Sequence, residues 1–147
     1  MITVRSHDQF NTTIYGLEDR YRGIHKERRV ILMNHNDMER RGLKNMDVVN
    51  IKSNFNGKQR SVQRFHAVEY PISEYCAAMY FPEANVLVPI DSVAEKSNTP
   101  TFKTVNILVE KAWVFLALDK YSKNQVSCLT YFLLIKLWKY GRPIEPQ

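Results

Sequence analysis

Residues 5–23, RSHDQFNTTIYGLEDRYRG, hold the side chains of this 147-residue sequence that could do chemistry. Arg5, Ser6, His7, Gln9, Asn11, Thr12, Thr13 and Tyr15 put a hydrogen-bond donor or acceptor at nearly every position. Amides and hydroxyls give and accept, and an arginine fork grips an anion at two points, so this set can read a polar ligand rich in heteroatoms. A plainer reading stands beside it, an exposed loop of Asx and Ser/Thr turns. A later segment of the same character, EKSNTPTFK at 95–103, offers Lys103 to an anion. Two polar loops flanking one scaffold would form one site.

Other chemistries find little support. His7, His25, His35 and His66 are scattered without zinc-ligand spacing. His7 alone lies within the polar stretch. Cys76, followed by two alanines in an apolar run, reads as a buried structural thiol, and Cys128 reads the same way. Two distant cysteines fit neither a zinc site nor a disulfide framework, so a cytoplasmic home is expected. The opening MITVRSHD has no secretory or transit profile, and no export is expected. Five glycines occur, none in a phosphate-loop arrangement. Any phosphate would be held by side chains and turn amides.

The elements that must position these residues are mostly short strands. RRVILMN, Arg28 to Asn34, is a continuous apolar run of strand length. Asn34 is a suitable cap for a helix HNDMERRGL, with Asp37 facing its free amides and Gly42 ending it. DVVNIKS alternates and runs into Asn56-Gly57, a strong hairpin signal, with a returning arm from about Lys58 to Val68. CAAMYF reads as a buried strand, and the long loop of residues 82–103 with prolines at 82, 89 and 100 is expected to have a task. Val105, Ile107 and Val109 alternate with Thr104, Asn106 and Leu108 in a closing strand. Many strands with one clear helix predict a small β-barrel.

Charge and composition divide the chain near residue 110. The net charge is +6, yet residues 1–110 hold 15 Lys and Arg against 13 Asp and Glu, and residues 111–147 hold 6 against 2. The main body is therefore close to neutral, which disfavours a nucleic-acid face on it. From 111 onward, Trp113, Trp138 and VSCLTYFLLIKLW predict an apolar helix that packs, docks or self-associates. The run from Val126 to Trp138 is too short for a membrane span and contains Lys136.

Taken in order, RSHDQFNTTIYGLEDRYRGI, RRVILMN with its helix and GLKNMDVVNI, and CAAMYFPEANVLVPIDSVAEKSNTPTFKTVNILVE resemble one family. It is the C-terminal molybdopterin dinucleotide-binding domain of molybdopterin oxidoreductases, and the resemblance is to the formate-dehydrogenase-like branch. It covers about residues 3–110. It implies a six-stranded double-psi β-barrel with one or two short helices, closing over a bis-molybdopterin guanine dinucleotide cofactor. The resemblance places Arg5, His7, Gln9, Asn11, Thr12 and Thr13 in the first cofactor loop, Asn85 near the pterin, and Asn98, Thr99 and Lys103 in the loop facing the dinucleotide. The metal, molybdenum or tungsten, would be held mainly by other domains. This chain alone is then expected to carry no catalytic residue and no metal ligand, and to work with the remaining domains or a catalytic subunit of the oxidoreductase. Residues 111–147 depart from the family's usual ending.

Two other readings compete. One is a basic nucleic-acid-binding barrel using Arg20, Tyr21, Arg22, Arg28 and Arg29. The other is an inactive remnant of the oxidoreductase domain that folds without meeting a cofactor.

Overall fold

The computed structural model describes residues 1–112. The apolar tail, its tryptophans, Cys128 and the division of the chain into 1–110 and 111–147 thus fall largely or wholly outside the described residues.

The strands are β1 (Ile2–Val4), β2 (Gln9–Phe10), β3 (Thr13–Ile14), β4 (Val30–Met33), β5 (Val48–Phe55), β6 (Lys58–Glu69), β7 (Ala77–Tyr80) and β8 (Ile107–Lys111). One α-helix, α1 (His35–Arg40), and one 3-10 turn, η1 (Glu83–Leu87), complete the set among the described residues. The architecture is mainly β, as the sequence predicts. Six strands form one mixed sheet in the order β1-β7-β4-β6-β5-β8, and β2-β3 form a separate small hairpin.

The expected closed barrel is not what the ladders make. Strands β1 and β8 stand at opposite edges and share no ladder. The segment ahead of β8 ties those edges together instead: Thr3 N–H donates to Phe102 O at 3.0 Å, and Val105 N–H to Met1 O at 3.1 Å.

Strand β4 is the centre. Val30, Ile31, Leu32 and Met33 are all buried, which explains their unbroken apolar run: a strand covered on both faces has no polar side to present. Ile31 and Met33 face a core with Val49, Ile51, Phe65, Ala67, Met79 and Leu87. Val30 and Leu32 face a second cluster with Ile24, Val68, Ala78 and Tyr80. The second cluster anchors the polar stretch, since Ile24 belongs to it.

Local chemistry sets the turns. Asn34 caps α1 by accepting from Asn36 N–H at 2.8 Å, and its own amide donates to Ile72 O at 2.7 Å. Asp37 departs from expectation. It lies in the first turn but is buried, pairs with Arg40 of the same helix at 2.6 Å and accepts from Tyr75 N–H at 2.6 Å rather than from the helix's free amides. Gly42 takes a φ of +61° and ends the helix as expected. Asn56 and Gly57 take φ of +50° and +76° and join β5 to β6 with Phe55 opposite Lys58. Both need the left-handed region that this dipeptide enters at low cost.

Strand β6 contains a feature the alternation conceals. The pairing with β5 slips between Val49 opposite Phe65 and Ile51 opposite Val62, leaving Gln63 and Arg64 as a bulge with Arg64 at a φ of +58°. Val62 and Phe65, three positions apart, both face inward, so the strand changes parity there. Its first half pairs with β5, and its last residues, His66–Glu69, also pair in parallel with β4.

Two further expectations are corrected. Cys76 is exposed, because β7 begins one residue later at Ala77. The long segment after β7 is only partly a loop: Ala84 and Leu87 of η1 are buried, and Ser53 Oγ donates to Leu87 O at 2.7 Å.

Truncating Ile31, which is fully buried, to Ala should lower unfolding free energy by about 2–5 kcal/mol. Leu108→Ala, at an exposed position, should change it by no more than about 0.5 kcal/mol. Urea denaturation of both variants measures the contrast; equal losses would put the core elsewhere.

Candidate functional site

The polar stretch is an excursion of residues 5–29 between β1 and β4. Asn11, with a φ of +51°, turns the chain between Gln9-Phe10 and Thr13-Ile14. At the base of the hairpin Tyr15 N–H donates to Asp8 O at 2.9 Å. Gly16 lies so close to Asp8 that a Cβ there would meet the carboxylate at 2.7 Å. The excursion returns through a bridge between Asp19 and Ile24.

Two buried polar clusters hold the excursion to the sheet. In the first, Asp19 Oδ2 accepts from the Tyr80 hydroxyl at 2.8 Å and from Arg22 at 2.5 Å. Asp19 Oδ1 is buried without a hydrogen-bond partner among the described residues. Burial would raise the Asp19 pKa, but the Tyr80 hydroxyl and Arg22 outweigh it and hold the carboxyl below its usual range. Burial, and then the bond to Asp19, push the Tyr80 phenol well above its ordinary value.

The second cluster centres on Arg28, 6% exposed. Its guanidinium donates to both Glu83 carboxylate oxygens, at 2.6 and 3.1 Å, to Ser6 Oγ at 2.5 Å, to Gln9 Oε1 at 3.0 Å and to Phe81 O at 2.9 Å. It also lies over the Tyr80 ring, 5.1 Å from the centroid.

Beside these clusters opens a cleft of about 530 Å³ lined by Thr3, Val4, Arg5, Arg22, Phe81, Phe102 and Lys103. Three cations line it and no carboxylate does. The Arg5 guanidinium has no hydrogen-bond or ion-pair partner among the described residues, and Lys103 Nζ donates to Thr3 O. Phe81 and Phe102 meet edge to face with centroids 6.3 Å apart. Cations beside aromatic faces suit a ligand that joins an anionic group to a planar ring.

The structure brings only some predicted residues to this cleft. Arg5 and Lys103 line it together, although 98 positions separate them. Gln9 is an internal brace: its amide nitrogen donates to Phe81 O at 2.8 Å and to Asn11 O at 2.9 Å. His7 sits edge-on to Tyr21, with ring centroids 4.5 Å apart, and meets Arg20 at 3.1 Å. Asn11, Thr12 and Thr13 are exposed on the hairpin, Asn85 is exposed on η1, and Asn98 and Thr99 are exposed in a loop closed by the Val93–Pro100 bridge. None of these six lines the cleft.

Sequence reasoning missed Arg22, Phe81 and Phe102 as lining residues. Arg22 stood within the polar stretch, and Phe102 adjoined Lys103, so position alone pointed to both. Arg28 was read as a nucleic-acid contact, but it is buried against Glu83, and Arg22 is paired with Asp19; this removes two of the five residues on which that reading relied.

A β domain whose cationic, aromatic-lined cleft suits a phosphate-bearing heterocycle defines the class. The chain belongs to the molydopterin dinucleotide binding domain family, whose model matches residues 1–106. Over 113 residues it is 44% identical to uncharacterized oxidoreductases of Mycobacterium tuberculosis and Mycobacterium bovis, covering 74% of this chain and 14% of theirs. It is 39% identical to the protein YdeP of Escherichia coli over 113 residues, 75% of this chain and 15% of that one. The chain thus spans about one-seventh of the length of these relatives. Among the described residues no helix is long and apolar enough to cross a membrane, and no group of side chains is arranged to hold a metal ion.

Because the folded Asp19 pKa is depressed, its stabilisation is complete above the ordinary aspartate range, about 4, and is lost as pH falls through the lower folded value. Between pH 6 and pH 2 the wild-type chain should therefore lose more stability than Asp19→Asn. Urea midpoints across that range test this, and parallel profiles would show that Asp19 carries no acid sensitivity.

Proposed function

We propose that this domain binds a molybdopterin guanine dinucleotide, in its bis form, as part of a molybdenum- or tungsten-dependent oxidoreductase of the formate-dehydrogenase-like kind. The observation that carries the reading is the cleft that unites Arg5 and Lys103 with Arg22 beside two phenylalanines. Arg5 and Lys103, with no carboxylate among the lining residues, favour a diphosphate, and the rings of Phe81 and Phe102 offer an apolar face to a pterin or guanine. The cofactor supplies the redox chemistry; these residues bind and orient it.

In this reading the half-buried His7, the exposed Asn11, Thr12 and Thr13 of the hairpin, Asn85 of η1, and Asn98 and Thr99 of the later loop reach outward to the rest of the cofactor. Gln9 acts from behind, by holding Phe81. The metal is held by other domains or a catalytic subunit, in line with the small share of its relatives that the chain spans. The edge-to-edge bonds between residues 1–3 and 102–105 support a double-psi barrel form.

Titrating the chain with GDP should shift the NMR signals of residues 5–22 and of 81–103. Arg5→Ala and Lys103→Ala should each weaken binding by about tenfold, the scale of one charged hydrogen bond lost. Binding should also weaken with added salt. Shifts confined to other residues, or unchanged affinity in both variants, would overturn the reading.

A further inference from the structure

We propose that Arg28 is a positioning residue that fixes the two walls of the cleft relative to one another and so sets the site's geometry. Residues 3–5 form one wall and Phe81 contributes to the other. Arg28 lines neither, yet its guanidinium bonds to the chain just beyond each: Ser6 and Gln9 on one side, Phe81 O and Glu83 on the other. The β1–β7 ladder joins the strands behind these walls, and at the cleft itself Gln9 Nε2 to Phe81 O at 2.8 Å and Phe81 N–H to Val4 O at 2.8 Å bridge the same gap.

A planar donor at the centre of four acceptor groups has little freedom to move. Arginine alone supplies that fork; lysine carries the same charge on a single flexible point. Paired with Glu83, Arg28 adds almost no net field to the cleft, so its effect there must come through geometry.

That distinction gives a test by sign. Removing the Glu83 charge takes a negative group from the neighbourhood of an anion site. Electrostatics alone would make an anion bind more tightly to Glu83→Gln, whereas loss of positioning makes it bind more weakly.

This inference rests on the reading of the cleft as the place of the cofactor's phosphates, so the probe is inorganic pyrophosphate, with the full 147-residue chain as receptor. Calorimetry below the unfolding transition should give about tenfold weaker binding for Arg28→Lys and at least threefold weaker for Glu83→Gln. A merely structural role would lower the melting temperature and leave the affinity of the folded fraction unchanged.

Hydrogen exchange at the Phe81 amide, which bridges the walls, supplies a readout that needs no ligand. It should quicken at least tenfold in Glu83→Gln while the Ile31 and Met79 amides in the sheet keep their protection. Pyrophosphate affinity that rises in Glu83→Gln, or unchanged Phe81 exchange, would overturn the proposal. Failure of the wild-type chain to bind pyrophosphate, with Phe81 exchange quickened in the variant, would sink the cofactor reading and leave the positioning role standing. Glu83→Gln preserves the size of its side chain and decides the matter even if Arg28→Lys does not fold.

Discussion

A guanidinium taken out of water must be repaid by partners, and Arg28 shows what that repayment organises. Its desolvation would cost several kcal/mol if left unanswered. The answer comes from residues distant in sequence, delivered by two pieces of backbone: Ser6 and Gln9 on one, Phe81 and Glu83 on the other. The excursion of residues 5–29 has few apolar anchors of its own, Ile24 being its one buried aliphatic. Its attachment to the sheet therefore rests on Arg28 and on the Asp19, Tyr80 and Arg22 cluster.

The same economy explains how a nearly neutral domain presents a positive cleft. Arg28 and Glu83 cancel each other inside the fold. Lys52 is matched by Glu110 and Lys111 by Asp47. Arg5 and Lys103, by contrast, face the cleft with no carboxylate among its lining residues. Net charge counted along the chain could not reveal this, because the pattern arises from which charges are spent on internal pairs.

What was legible in the sequence follows from what is local. Strand β4 announced itself through four consecutive apolar residues, the β5-β6 hairpin through Asn56-Gly57, and the helix through Asn34 and Gly42, since each signal is a property of neighbours. Cys76 misled because an apolar run does not mark where burial begins. Asp37 looked like an ordinary first-turn acid, whereas its partner amide at Tyr75 is 38 positions away. The cleft was half legible: polar side chains marked both loops, but the phenylalanines and Arg22 gained meaning only when the chain brought positions 5 and 103 together. The resemblance to the family agrees with the family match over residues 1–106.

The bulge at Gln63 and Arg64 has a bearing on how the domain could change over evolutionary time. Because β6 changes parity there, its outer half answers to β5 and its inner half also to β4. A change in length at the Asn56-Gly57 tip would be absorbed within the outer arm, and the inner pairing that seats the central strand would keep its register. The bulge is thus a mechanical joint between the hairpin tip of the domain and the pairing that seats its central strand.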